Sequence, residues 1–440
     1  MKRDIKFITK KTSWVVAAIL VLLTVFAVAP SYGATWNYYL RAGVTSIPAG
    51  SYNTPVIPAV PNENILMWGY QICLDNTYAV CGSLAAGAHM PPQSAADIVV
   101  GPPTFPGPVL VASQGDTLNI TLRNNLTIAA ATAIGFAPMI TEPTSLMIPS
   151  QNGTTFSPVW VSVDANGGVT GVTGSGFPFR PGSPGTDVTS RVRSFTTETP
   201  ANNSTNITYT WTGLTPGTYL YESATHPAVQ VQMGLAGALK VFPSATPATV
   251  GAVPPASGQA YNKASTAYNF DVVLVFSEID QELHYSVGSG LYGTPPPPPP
   301  GPVVRGQRTS TVEYSPNFFL INGKPYMSTT VPIPNAGAAN STTLLRLVNA
   351  GLKEKTPTII NPYMFAMAED GRLYQFMDNT GTLTPYTVRH TSILLSAGKT
   401  IDATIVPTAS GDYAIFDRSL NMTNANMPGI GGMLRFLHIN

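Results

Sequence analysis

The sequence predicts an all-β protein of two domains, and three observations predict it. Gly 39 and Pro 41, spread along 440 residues, interrupt almost every window in which a helix would run. Between Thr117 and Arg123, apolar Leu118, Ile120 and Leu122 alternate with polar Thr117, Asn119, Thr121 and Arg123, the period of a half-buried strand. The length that remains after an N-terminal leader suits two domains better than one.

The leader is read from residues 1–34. Lys2, Arg3, Lys6, Lys10 and Lys11 form a basic start, Trp14 to Val28 is an apolar run, and small residues follow at Ser31, Gly33 and Ala34. That order is the one of a cleaved export signal. It predicts a chain in the periplasm, on the cell surface or secreted, with a membrane contact only if the leader is kept. Without residues 1–34 the balance is 18 basic against 21 acidic residues. A chain at that balance has no clustered basic footprint for nucleic acid. Charged residues are only 10% of the sequence, against about 25% in an ordinary globular protein. So weakly charged a surface gives little mutual repulsion, and self-association or a surface-protein partner is expected.

Residues 35–64 are polar and turn-rich and read as an N-terminal arm. Cys73 and Cys81 are the only cysteines; in an exported chain they are expected to form a disulfide. A loop that short contributes about 2.5 kcal/mol by the chain-entropy argument. Strands are expected from Ile65, through Pro106–Ala112, and over Thr117–Leu122, with Gly115-Asp116 as the turn before the last. Residues 243–268 are rich in Pro, Ala, Ser and Gly and read as a linker. A buried strand then opens at Phe270-Asp271-Val272-Val273-Leu274-Val275-Phe276. Pro295 to Pro300 is a polyproline stretch, and residues 294–301 read as a stiff surface loop or a ligand for an aromatic groove.

Two blocks carry a family resemblance. Pro106-Gly107-Pro108-Val109-Leu110-Val111, followed by Gln114-Gly115-Asp116-Thr117-Leu118-Asn119-Ile120-Thr121-Leu122, resembles the opening strands of multicopper oxidases. Gly217-Thr218-Tyr219-Leu220-Tyr221, followed by Gly234-Leu235-Ala236-Gly237-Ala238-Leu239, resembles the strands that close their first domain. Phe319-Leu320-Ile321-Asn322-Gly323-Lys324-Pro325, Leu345-Arg346-Leu347-Val348-Asn349-Ala350-Gly351 and Gly411-Asp412-Tyr413 are similar to stretches of the last domain. The resemblance implies two cupredoxin-like Greek-key β-sandwiches, at 65–242 and 269–440.

It also implies copper, and here the residues depart from the pattern. The family pairs histidines as His-x-His, which puts both rings on one face of a strand, and imidazole suits copper. The five histidines are His89, His226, His284, His390 and His438, and none forms such a pair. The four stretches where pairs are expected read Leu146-Met147-Ile148-Pro149, Glu222-Ser223-Ala224, Thr356-Pro357-Thr358 and Ile415-Phe416-Asp417. Glu222, His226 and Met233 remain the candidates for a makeshift metal site, with Glu222 and His226 as partners if the carboxyl is buried. Met364, Met367, Met422, Met427 and Met433 offer thioethers to copper(I) or, more ordinarily, fill the core. Asn119-Ile120-Thr121, Asn202-Asn203-Ser204 and Asn421-Met422-Thr423 match glycosylation sequons or are plain polar positions.

Two functions therefore stand at this point. One is a non-catalytic binding or structural protein on a degenerate oxidase scaffold. The other is a copper-binding oxidoreductase with a reduced or non-standard site. Fold does not decide between them, because function lies in the site.

Overall fold

The structure is a computed structural model, and it describes residues 33–48, 63–136, 139–154, 157–163, 169–173, 190–293, 304–308, 311–327, 329–424 and 431–440. Most of the expected leader, part of the expected arm, Met427 and the polyproline stretch lie outside the described residues. Two β-sandwiches make up the described chain. In the first, a six-stranded sheet runs in the order Asn206–Trp211, Thr117–Asn124, Thr35–Ile47, Ile65–Cys73, Cys81–Leu84, Ile98–Val100. A three-stranded sheet of Gly217–Glu222, Ala236–Phe242 and Leu110–Ser113 makes up its other layer. Between them lies one apolar core, built on Trp36, Trp68, Leu118, Ile120, Tyr221 and Leu239. Three more strands, Val159–Val163, Val169–Thr173 and Ser190–Ser194, form a separate small sheet.

The alternation read at Thr117–Arg123 is what the strand obeys: its burial alternates residue by residue, with Leu118, Ile120 and Leu122 inward. Gly115 takes a φ of 80° in the turn before it, a conformation that favours glycine. Asp116 beside it accepts a hydrogen bond from the indole of Trp36 at 2.8 Å.

Trp36 belongs to the segment expected to be an arm, and that expectation is corrected. Thr35–Ile47 is a strand in the middle of the sheet. It runs parallel to Thr117–Asn124 through eight paired positions and antiparallel to Ile65–Cys73 through nine. Trp36, Tyr38, Leu40 and Ala42 point into the core. Asn37, Tyr39 and Arg41 occupy the alternate positions, so the segment carries the same period as Thr117–Arg123; the polar, turn-rich composition of residues 35–64 taken as a whole masks it. Cys73 and Cys81 are bonded. They face each other across the neighbouring strands Ile65–Cys73 and Cys81–Leu84, so the bridge fastens a hairpin.

The second sandwich has a larger sheet in the order Phe318–Ile321, Phe270–Ile279, Thr343–Asn349, Thr400–Ile405, Met364–Glu369, Arg372–Leu373, with Val388–His390 also paired to Met364–Glu369. Its facing sheet is Ile333–Gly337, Leu434–Ile439, Gly411–Asp417, Pro357–Ile359. Met364 and Met433 are core filler here, and Met367 packs with Tyr261 and Tyr268. Those tyrosines come from the stretch read as a linker. It is docked rather than free: Ala260, Tyr261 and Tyr268 pack on Leu344 and Met367, and Tyr261 donates to Asp402 at 2.7 Å.

The sandwiches meet face to face. Leu220, Ala236 and Ala238 of the first pack on Val275, Val348 and Ala350 of the second. Beside this apolar seam lies buried Arg346, 2% exposed, which donates to Asp271 at 2.8 Å and to the Thr218 hydroxyl at 2.9 Å. Lys240 approaches the same Asp271 at 3.5 Å. Burial works against a charge on Asp271, but the neighbouring Arg346 and Lys240 outweigh it and hold its pKa below the ordinary value.

The placement of Thr35–Ile47 has a measurable consequence. Leu40→Ala deletes a fully buried side chain at the centre of the sheet. It is expected to cost about 2–5 kcal/mol of stability, as for other buried leucines, in a denaturant titration. A change below about 0.5 kcal/mol, the scale of ordinary surface substitutions, would show that this segment is not part of the core.

Candidate functional site

The strand Gly217–Glu222 ends at a short turn, Ser223-Ala224-Thr225-His226, that leads into the helix Pro227–Met233. Pro227 sits at the first helical position, where its missing N–H costs nothing. His226 just before it adopts φ 38°. The expected first and second ligand segments do lie side by side. Met147 and Glu222 exchange both backbone hydrogen bonds, at 2.9 and 3.0 Å. In the second sandwich the third and fourth do the same: Pro357–Ile359 pairs with the end of Gly411–Asp417, and Asp417 accepts from the Thr356 N–H at 2.7 Å.

What fills the first pair of segments is a cluster of hydroxyls. Thr144, Ser145, Ser194, Ser223 and Thr225 are all fully buried. Ser145 Oγ lies 2.9 Å from Thr225 Oγ1 and 3.0 Å from Ser194 Oγ. Ser223 Oγ lies 3.1 Å from Thr144 Oγ1 and donates to the side-chain Oε1 of Gln230 at 2.7 Å. Gln230 in turn donates to the Pro143 carbonyl at 2.9 Å and to Glu142 at 3.2 Å. Hydroxyl groups both donate and accept, so such a cluster satisfies itself in a dry interior.

Charge collects at its rim. His226 Nδ1 lies 3.0 Å from both carboxyl oxygens of Glu142. Arg193 Nε donates to Glu198 at 2.9 Å nearby. Burial works against the His226 charge, but the hydrogen bond and charge of Glu142 prevail and raise its pKa. Burial likewise works against an ionised Glu142, yet His226 and Gln230 keep its pKa lowered. The expected Glu222–His226 partnership is thereby corrected: the imidazole pairs with Glu142. The residue that sequence reasoning missed sits two positions before Thr144, so its nearness to the first ligand segment was the available signal.

Glu222 is left without a hydrogen bond to its carboxyl among the described residues. Desolvation pushes its pKa up to about 7. Met233 is wholly buried in the first core, away from any shared polar site. Among the described residues no three His, Cys, Asp or Glu side chains converge as a metal-holding group. Copper prefers imidazole and thiolate. The groups at these positions are hydroxyls bound to one another, one carboxyl and the alkyl side chains of Leu146, Ile148 and Ala224, and they do not fit it.

The other histidines are spread apart. His89 meets Asp97 at 2.8 Å and His438 meets Asp412 at 2.7 Å. His390 lies on a strand paired to Met364–Glu369. His284, on the helix Gln281–Gly288, is fully buried between the carbonyls of Leu66 and Gln232, and burial lowers its pKa. Near it, and next to the third ligand segment, Glu278 and Lys355 form an ion pair that is 0% exposed at both side chains, with Oε2 and Nζ 2.8 Å apart. Apart from each other, neither atom has a hydrogen-bond partner among the described residues. The other oxygen, Oε1, accepts from the N–H groups of Leu352 and Lys353 and from Tyr314, at 2.8, 3.0 and 2.9 Å. Gly351 is required there, since a Cβ would stand 2.0 Å from Oε2. An open cleft of about 550 Å³ is lined by Lys353, Glu354, Ser396, Ala397, Ser419 and Asn421.

No protein-family profile matches the chain, and no curated protein matches it. Solved structures do. A blue copper oxidase from Nitrosomonas europaea aligns with a TM-score of 0.50 at 15% identity, covering 92% of this chain and 86% of the other. A copper nitrite reductase from the same organism aligns at 0.47 and 14% identity, covering 92% and 94%. The chain is thus a two-domain cupredoxin-fold protein. That fold is the one the motifs implied.

Glu222 gives the site a pH signature. Its folded pKa of about 7 lies above the 4.5 of an unperturbed glutamate. The folded chain therefore holds this proton more tightly, and stability falls as pH rises from about 4.5 to about 7. His226, also raised, loses its contribution as pH climbs through its own folded pKa, so both act in one direction. Glu222→Gln is expected to stabilise the protein by up to about 3 kcal/mol at pH 8.5, and by little at pH 4.5, in paired thermal melts. Equal effects at both pH values would show that the carboxyl is not desolvated.

Proposed function

We propose that this is an exported, non-catalytic protein that uses the oxidase scaffold for binding. The observation that carries the reading is the self-satisfied hydroxyl cluster between the first two ligand segments. A copper centre needs several convergent imidazole or thiolate donors. Here the corresponding backbone pairing is kept while the side chains bond to each other. The test is metal analysis after copper loading, together with oxidation of a phenol. The expected result is no tightly held copper and no turnover. Copper retained through dialysis at one or more ions per chain, with phenol oxidation, would overturn the reading in favour of an oxidoreductase with a non-standard site.

For the binding partner we propose a second copy of the chain. The two-stranded hairpin Gln375–Met377 and Leu383–Pro385 exposes Phe376, Met377 and Leu383 by 50%, 68% and 49%. Such apolar surface is rarely left open without use, and so weakly charged a chain does little to repel itself. The contact is not assigned to residues 35–47, because they are built into the sheet. Sedimentation at micromolar concentration is expected to show self-association that Phe376→Ser with Leu383→Ser weakens at least tenfold. A strictly monomeric parent chain would defeat this part of the proposal and leave the first part standing.

A further inference from the structure

The chain carries eight Asn-x-Ser/Thr triplets, starting at Asn119, Asn125, Asn152, Asn202, Asn203, Asn206, Asn340 and Asn421. The fold divides them into two groups. Asn119 lies mid-strand, with Nδ2 donating to Asn37 at 3.0 Å and Oδ1 accepting from Thr210 at 2.8 Å. Asn421 is tied to Asp417 at 2.6 Å. Asn125 is half-buried, and the hydroxyl of its sequon, on Thr127, caps the helix Ile128–Ala133. All three asparagines are only partly exposed, so a bulky substituent there has less room than on an open surface.

Asn152, Asn202, Asn203, Asn206 and Asn340 are exposed instead. Asn206 binds Arg123 through its oxygen alone, at 2.9 Å, so its Nδ2 stays free for chemistry. Asn202 donates one N–H to the Thr205 hydroxyl at 2.9 Å; an amide substituted once keeps a second N–H for that bond. Four of the five surround one strand. Asn202, Asn203 and Asn206 stand at the start of Asn206–Trp211. Asn152 stands at its other end, where its carbonyl accepts from the Thr212 N–H at 3.0 Å, about 17 Å away for a strand of that length. That strand is the last of its sheet, with Thr117–Asn124 as its only strand partner among the described residues.

We infer that the chain is N-glycosylated at these exposed sequons, on the first sandwich at Asn152, Asn206 and one of Asn202 and Asn203, and on the second at Asn340. The inference rests on the export reading above, since sequon-directed transfer takes place outside the cytoplasm. The donor class is an oligosaccharide linked through pyrophosphate to a lipid. Nδ2 of asparagine forms a bond to the anomeric carbon as the bond from that carbon to the pyrophosphate oxygen breaks. The pyrophosphate leaves with the electron pair, and Nδ2 gives up one proton to the transferase. Hydrophilic chains so placed supply the solvation that a surface poor in charge lacks. They also stand beside a sheet edge that residues 152–154 cover at one end only, where a strand of another molecule would otherwise pair.

The test is peptide mass spectrometry on full-length protein recovered from its native cells, from the extracytoplasmic and cytoplasmic fractions separately. Expected are sugar-bearing peptides at the exposed sites and bare Asn119, Asn125 and Asn421. Ser204→Ala removes the Asn202 triplet and Thr208→Ala the Asn206 triplet without touching either asparagine, and Thr208→Ala is expected to lose one glycan step in gel mobility. Bare asparagines at every exposed site in extracytoplasmic protein overturn the glycan inference and spare the export reading. Protein confined to the cytoplasm with bare asparagines overturns both. Sugar found at Asn119, Asn125 or Asn421 overturns the selection by the fold.

Discussion

The seam between the two sandwiches is the constraint on which the rest of the molecule depends. Its apolar part is modest, built from Leu220, Ala236, Ala238, Val275, Val348 and Ala350. Alongside it Arg346 is sealed from water between Asp271 and Thr218. A buried charge is tolerated only when paired and hydrogen-bonded, so the two halves must close in one relative position to satisfy it. The Thr400 hydroxyl adds a bond to the Thr218 carbonyl at 2.7 Å, and Tyr261 reaches Asp402 from the docked connecting stretch. An apolar seam alone would hold the halves together without fixing their register. The charged groups supply the register.

This division of labour also accounts for the candidate site. Backbone pairing brings residues 144–147 beside 222–225, and 356–359 beside 415–417, whatever side chains they carry. The chemistry then follows from the side chains. Hydroxyls and amides in the first sandwich close a network on themselves, and Asp417 in the second gathers backbone N–H groups. A carboxylate so held is a structural anchor, as is Glu278 with its three donors and its lysine.

Much of the fold was legible in the sequence because its signals are local. Gly115-Asp116 and the alternation after it mark a turn and a strand by rules that need no partner. The motif ending in Gly237-Ala238-Leu239 did the same for the closing strand, whose glycine a Cβ would press against Tyr221 at 2.3 Å. What escaped depends on distant partners. Thr35–Ile47 carries the same alternation at Trp36, Tyr38, Leu40 and Ala42, but the composition of residues 35–64 as a whole obscures it, and its place between Thr117–Asn124 and Ile65–Cys73 could not be seen locally. The Glu142–His226 pair spans 84 positions, so no window of the sequence contains it. The stretch at 243–268 has the composition of a linker, yet Tyr261 and Tyr268 find pockets on the second sandwich that composition does not reveal.

The central place of Thr35–Ile47 bears on how the molecule assembles in time. This strand leads the described chain; Ile65–Cys73 lies close in sequence to pair with one of its edges, but its other edge has no partner until Thr117–Asn124, 82 positions later in register, joins it in parallel. Closing so long a loop before any contact rewards it is slow. The six-stranded sheet therefore completes late, from a half-formed sandwich whose core stays open along the unjoined edge of Thr35–Ile47. In that interval the apolar faces of Trp36 and Leu40 are unprotected, and such intermediates are prone to aggregate.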